Sequence, residues 1–354
     1  RCSIFRSRNS FSYQRKLCAF ALIAMPSVAI HCKSSITDGM GHIYRQINLA
    51  NELKKQGWEV SFYIPDFAPA IDLLTQAEFT SVIMDSESSI AEYLDKFFDF
   101  VIIDMQDTTE SLVSSVKTCT RYIASFEDLG EGRNHVDILI DSNLAPSETK
   151  NLPSSTRGLL GPDYSVLHPD FAYYHAQSRH FGASSQAALV SMGATDPKNL
   201  TVPLTSFLLQ EKHDLKLTVL IGHNANITPE LNKLSNQFQL LNILGPVSNM
   251  AQILWEHDAV VCSGGVTLHE AMAVGTPAFV VNQVAHQQTK ARFVEKSGAA
   301  INLGIGTQYD GKKLREALGF KKPKLESMSL KAKQLIDGQG VFRVIDAMNK
   351  LIKI

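Results

Sequence analysis

Two glycine-flanked segments hold the residue types best suited to chemistry. In Asp38-Gly39-Met40-Gly41-His42 the glycines permit backbone angles and close approaches that a side chain would block. His42 then opens a helical stretch. The positive end of a helix disfavours an imidazolium, which leaves a neutral ring able to take a proton, and such a ring beside a substrate suits general-base work. A glycine turn whose histidine merely caps the helix fits the same residues. In Ser263-Gly264-Gly265-Val266-Thr267 the glycines expose backbone N–H groups at a second helix start, with the hydroxyls of Ser263 and Thr267 beside them. That is a cradle for a diphosphate. Glu270, about one turn into that helix, has a carboxylate able to accept from both hydroxyls of a ribose, or one that only complements the helix dipole.

Smaller signals stand at other expected strand ends. Gly193-Ala194-Thr195-Asp196 suits a phosphate or sugar contact through Gly193 and Thr195, or a plain turn. His286-Gln287 follows a further strand beside the proposed nucleotide loop. Asp104 and Asp128 lie at or past strand ends, where each is a candidate sugar ligand or a turn residue. A dinucleotide site is a competing reading of Gly39 and Gly41, but Tyr44 stands where that fingerprint needs a third small residue. The eleven histidines show no H-x-x-x-H or H-E-x-x-H spacing, and there is no G-x-S-x-G elbow or Walker loop. We therefore expect no metal and no cofactor.

Loops of this kind need strands and helices to hold them. Apolar runs of strand length alternate with helix-period segments nearly throughout, which argues for an α/β protein with parallel sheets. Strands are expected at Val28–Cys32, Glu59–Ile64, Asp99–Met105, Arg121–Phe126 and Asp137–Asp141, then at Ala187–Met192, Leu215–Ile221, Leu240–Leu244, Asp258–Cys262 and Ala278–Val281. In the helical stretch His42–Gln56, residues Ile43, Ile47, Ala50 and Leu53 share one face. Further helices are expected at Met250–His257, Thr267–Val274 and Gly340–Ile354. The segment Gly158–Tyr164 reads as turn-rich, with a hinge near residues 160–185.

A chain of 354 residues exceeds what one core usually serves. We expect an amino-terminal domain at 25–168, a carboxyl-terminal domain at 185–338 and a terminal helix at 340–354. Residues 1–24 carry five basic side chains and no acid, and read as a disordered or non-native extension. Lys plus Arg number 34 against 35 Asp plus Glu, so the net charge of −1 gives no reason to expect nucleic acid or anionic lipid. The apolar run Leu17–Ile30 is too short, and too broken by Pro26, to span a bilayer. Five cysteines without a C-x-x-C pair fit a reducing compartment, hence the cytoplasm. Peripheral membrane contact and oligomeric state stay open.

The loops, in this order, resemble a known family. Gly39-Met40-Gly41-His42-Ile43-Tyr44-Arg45 with Leu49, Ala50 and Leu53 looks like the motif of the pseudaminic-acid-pathway UDP-sugar hydrolases and the related spore-coat polysaccharide proteins. So do Leu160-Gly161-Pro162-Asp163-Tyr164, Met192-Gly193-Ala194-Thr195-Asp196-Pro197-Lys198-Asn199-Leu200, Ser263–Glu270 and Asp337-Gly338-Gln339-Gly340. That family resembles in turn the peptidoglycan transferase of N-acetylglucosamine. The resemblance implies a GT-B fold of two facing Rossmann-like domains with parallel sheets. It implies UDP on the carboxyl-terminal side, with Met250, His286 and Gln287 among its contacts, and the sugar on the amino-terminal side, with Gly39, Gly41 and Arg45. The histidine matching His42 is there the base that activates water against the anomeric carbon. Three departures are Cys32-Lys33-Ser34 in place of an acidic residue, Ala194 in place of a glycine, and His286-Gln287 in place of Asn-Gln. A hydrolase of a UDP-activated sugar is thus expected first, a GT-B glycosyltransferase acting on the same site second, and a non-catalytic nucleotide-sugar binder third.

Overall fold

The computed structural model describes residues 25–35, 39–85, 89–143, 152–222 and 227–353; the expected extension at 1–24 and Asp38 lie outside them. The first sheet holds β1 (Ser27–Cys32), β2 (Glu59–Pro65), β3 (Thr80–Met84), β4 (Phe98–Asp104), β5 (Thr120–Phe126), β6 (Ile138–Asp141) and β7 (Arg157–Leu160). Helices α1 (Gly41–Lys55), α2 (Ala68–Gln76) and α3 (Glu110–Val116) connect them, and α4 (Asp170–Ala176) follows. All of its strands are parallel, in the order β3-β2-β1-β4-β5-β6-β7.

The second sheet holds β8 (Ala187–Ser191), β9 (Lys216–Leu220), β10 (Leu241–Leu244), β11 (Ala259–Cys262), β12 (Ala278–Asn282) and β13 (Ala300–Ile305). Its order is β10-β9-β8-β11-β12-β13, again parallel. Around it lie α5 (Thr201–Glu211), α6 (Pro229–Gln237), α7 (Met250–Glu256), α8 (Val266–Val274), α9 (Gln287–Ser297), α10 (Gly311–Leu318) and α11 (Lys322–Leu335). The α/β architecture with two parallel sheets is the one expected.

Central strands carry the burial. All residues of β1, β11 and β12 are buried, as helices on both faces of a parallel sheet require. Helix α1 buries Ile43, Ile47, Ala50 and Leu53 against the first sheet. Gly158-Leu159-Leu160, read as part of a turn, instead belongs to β7. The turn itself comes one residue later, at Gly161 with φ of +101°.

The last helix, α12 (Gly340–Ile352), crosses back. Its Val341, Val344, Ile345, Ala347 and Met348 complete the core of the first lobe, and Tyr122 donates to the Leu351 carbonyl at 2.9 Å. The Asp337-Gly338-Gln339-Gly340 motif makes this crossing. A Cβ on Gly338 would stand 2.6 Å from the Ala172 nitrogen, and one on Gly340 would collide with the Ser165 carbonyl. Only glycine lets the chain pass so close to the segment joining the sheets.

In each sheet the strand order reverses at one point: between β1 and β4 in the first, and between β8 and β11 in the second. Crevices open outside the carboxyl ends of strands at such points. The loops after β1, β4, β8 and β11 are those singled out from the sequence.

Candidate active site

β1 and β4 end side by side, with Cys32 paired to Asp104. The chain leaves β1 through the glycine loop and enters α1 at Gly41, which sets His42 over the end of β4. His42, Arg45 and Gln46 follow at i, i+3 and i+4 and share a helix face. All three converge on Asp104. His42 Nδ1 lies 2.6 Å from Oδ1. Arg45 donates to both oxygens, from Nη2 at 2.6 Å and Nε at 3.0 Å, and Gln46 Nε2 donates at 2.7 Å.

Burial alone pushes the Asp104 carboxyl up; the Arg45 guanidinium and then His42 outweigh it and hold it below its ordinary value. An ionised carboxylate only accepts hydrogen bonds. The proton between the two side chains therefore belongs to His42 Nδ1. The His42 side chain is 15% exposed and Asp104 has no exposed surface.

Three residues expected near the sugar are held by other protein groups. Asp104 has no exposed surface, and its oxygens hold His42, Arg45 and Gln46. Arg45 is buried, with Nη1 2.9 Å from Glu127 Oε1 and its guanidinium 5.1 Å from the centre of the Phe126 ring. Asp128 is likewise buried and spends its oxygens on the Thr108 hydroxyl, the Thr108 nitrogen at 3.1 Å and the Gly130 nitrogen at 2.9 Å. These bonds fix the loop after β5.

On the other lobe, Gly265 is the N-cap of α8 and exposes the helix start. Gly264 is required by its neighbours: a Cβ there would stand 2.5 Å from Asn282 Oδ1 and 2.9 Å from Gln287 Cβ. Ser263 is buried beside it. Glu270 is pushed up to about 7 by burial, against a hydrogen bond from Thr267. Burial and then the Glu270 charge push the Tyr44 phenol up to about 12, which sets Tyr44 of α1 and Glu270 of α8 within electrostatic reach. Gly193 has φ of +92° and open space where a Cβ would be. Asp196 accepts from the Leu200 and Thr201 nitrogens at 3.0 and 2.9 Å and so fixes the start of α5. Met250 is the first residue of α7, and His286 stands exposed just before α9.

The two lobes meet at these loops. A Cβ on Gly39 would lie 3.7 Å from Thr195 Oγ1, and one on Gly41 3.5 Å from Val266 Cγ2. His269 of α8 also sits 3.2 Å from the Ser165 hydroxyl. The loop carrying His42 thus abuts both the Gly193–Thr195 turn and the start of α8.

Four residues at this junction escaped the sequence reading. Asn282 is fully buried, donates to Asn302 Oδ1 and the Gly304 carbonyl, and keeps Oδ1 unpaired against Gly264. Gln283 bonds the Met192 carbonyl and accepts from the Lys198 nitrogen at 3.2 Å. An Asn-Gln pair, sought at 286–287, therefore does stand here, four positions earlier. Glu127 is held well below its usual range; burial opposes this, and Arg45 and then Lys290 overcome it. Lys290 of α9 is the fourth. Among the described residues no group of His, Cys, Asp and Glu is arranged to hold a metal ion, and no helix is long and apolar enough to cross a membrane.

Residues 189–340 match the glycosyltransferase family 28 C-terminal domain. Over 336 residues the chain is 26% identical to the spore coat polysaccharide biosynthesis protein SpsG of Bacillus subtilis, spanning 92% of this chain and 98% of that protein. An uncharacterized protein of Methanocaldococcus jannaschii, MJ1062, is 27% identical over 269 residues, which cover 72% of this chain and 55% of that one. Among solved structures, MurG of Acinetobacter baumannii superposes with a TM-score of 0.64 at 16% identity, over 92% of this chain and all of that one. A complex of S. aureus MnaA with UDP superposes with a TM-score of 0.63 at 13% identity, over 93% and 97%. The fold is GT-B.

Proposed function

We propose that this protein hydrolyses a UDP-activated sugar, in the synthesis of a surface polysaccharide or of an acidic amino sugar. One observation carries the reading. The imidazole that Asp104 holds through Nδ1 stands in the first turn of α1, which packs against the open start of α8. In this reading UDP lies on the carboxyl-terminal lobe. Its diphosphate rests on the N–H groups at Gly264–Thr267 and on the Ser263 and Thr267 hydroxyls, and Glu270 accepts from the ribose. Gly39 and Gly41 leave room for the sugar. His42 takes a proton from water as the water attacks the anomeric carbon, Asp104 steadies the imidazolium that forms, and the helix start takes up the charge growing on the departing diphosphate. The reaction inverts configuration and needs no metal. The relative from Bacillus subtilis, named for spore coat polysaccharide biosynthesis, supports the sugar setting. The buried, free Cys32 and Cys262 suit a reducing cytoplasm.

A glycosyltransferase is the second reading, favoured by the match to a glycosyltransferase domain. The same His42 would then deprotonate a sugar hydroxyl. Purified protein incubated with UDP-sugars and no acceptor distinguishes the two. Release of UDP without acceptor supports hydrolysis, and release only with acceptor supports transfer. His42→Ala should lower turnover by about 10²–10⁴-fold while leaving UDP binding in place. Wild-type turnover by His42→Ala would remove His42 from the chemistry, and tight UDP binding without any turnover would leave a nucleotide-sugar binder.

A further inference from the structure

Among the described residues, Lys290 at the junction is a half-buried cation without a hydrogen-bond or ion-pair partner. Arg45 is consumed by Asp104 and Glu127, and His42 Nδ1 by Asp104. Lys290 makes no hydrogen bond or ion pair among the described residues, although its side chain is half-buried where the lobes meet. Its place follows from α9. Gln287, one turn earlier on the same face, packs its Cβ and carbonyl against Gly264 and its amide near Gly265. The Lys290 ammonium is within electrostatic reach of Glu127, of the like-charged Arg45, of Asp141 and of Cys262 at the end of β11. Both carboxylates are already engaged. Glu127 holds Arg45 and the Ser142 hydroxyl, and Asp141 accepts from the Asn143 nitrogen at 2.8 Å. A cation drawn out of water with no anion of its own is costly, and an arriving anion removes that cost.

Given the UDP-sugar reading above, on which this rests, we infer that Lys290 is a binding residue for the distal phosphate of the nucleotide diphosphate. The direction selects the phosphate. In that reading Glu270 holds the ribose, and Lys290, coupled to Glu127 and Asp141 of the first lobe and to Cys262 just before the Ser263–Gly265 turn, stands on the phosphate side toward the sugar. Lys290 then adds a full positive charge to the partial one at the helix start, at the oxygen that leaves the sugar.

Calorimetric titration of the full chain with UDP and with UMP tests this. Lys290→Met should raise the Kd for UDP by about tenfold or more, close to 1.4 kcal/mol per decade, and leave that for UMP unchanged. Lys290→Arg should restore most of the UDP affinity. Lys290→Gln serves the same purpose if the methionine variant does not fold. Equal weakening of UDP and UMP, or no change in either, would overturn the assignment while the UDP-sugar reading stands. A wild-type protein that binds neither nucleotide would sink both.

Discussion

Asp104 shows how one buried carboxylate can set the state of a neighbouring base. It accepts from His42, Arg45 and Gln46 and so settles which imidazole nitrogen is protonated. Glu270 has the opposite environment, and burial pushes its carboxyl from 4.5 to about 7. Its folded value is raised, so in the ligand-free protein it costs stability progressively as pH climbs from about 4.5 to about 7. Asp104 and Glu127 work with the other sign: their stabilisation is present above the ordinary carboxylate range and is lost on acidification. If ionised Glu270 holds the ribose hydroxyls, UDP should bind about tenfold more tightly at pH 8 than at pH 6. Glu270→Gln should remove that part of the dependence and retain only the part due to the phosphate. Parallel pH slopes for the two proteins, measured by titration calorimetry, would take the ribose contact away from Glu270. Such residue-level chemistry was only half legible in the sequence. His42, Ser263 and Glu270 drew notice through their neighbours. Asp104 drew notice only as a strand-end carboxylate, and Glu127 and Lys290 drew none, because their roles arise from contacts across tens of residues that no local pattern encodes.

At the scale of elements, the glycine turn before α8 depends on what stands behind it. Asn282 at the end of β12 and Gln287 at the start of α9 close against Gly264 so tightly that no Cβ fits. Gly264→Ala should displace the turn and weaken UDP binding by about tenfold or more, while costing about 1–3 kcal/mol of stability through overpacking. Unchanged UDP affinity in a folded Gly264→Ala protein would mean that this turn does not hold the diphosphate. The same contrast explains which elements the sequence revealed. Strands buried on both faces, such as β1 and β11, read as unbroken apolar runs. Three of the four edge strands, β3, β7 and β13, did not, whereas the fourth, β10, did. In β3 only Met84 is buried, β7 contains Gly158 in a glycine-rich stretch, and β13 buries only Ala300 and Leu303. An edge strand lacks a neighbour on one side, so its composition has no need to be apolar.

Across the whole molecule, α12 is what makes two sheets one protein. It follows the carboxyl-terminal lobe in sequence yet builds the core of the amino-terminal one, where Ile345 and Met348 lie with Ile43, Leu49 and Phe100. The core packed beneath α5 and α10 draws only on the second lobe. Loss of packing at α12 should therefore be felt far from it in sequence and unevenly in space. Ile345→Ala removes buried methyl groups from a filled core and should cost about 2–5 kcal/mol. Hydrogen exchange should show α1 and β1 losing protection while β8 and β9 keep theirs. If the diphosphate is held wholly by the second lobe, UDP affinity should survive a change that halves or abolishes turnover at elevated temperature, since His42 rides on α1. A uniform loss of protection in both sheets would instead mean that the two cores unfold as one unit, and that the lobe bearing His42 has no stability of its own to lose.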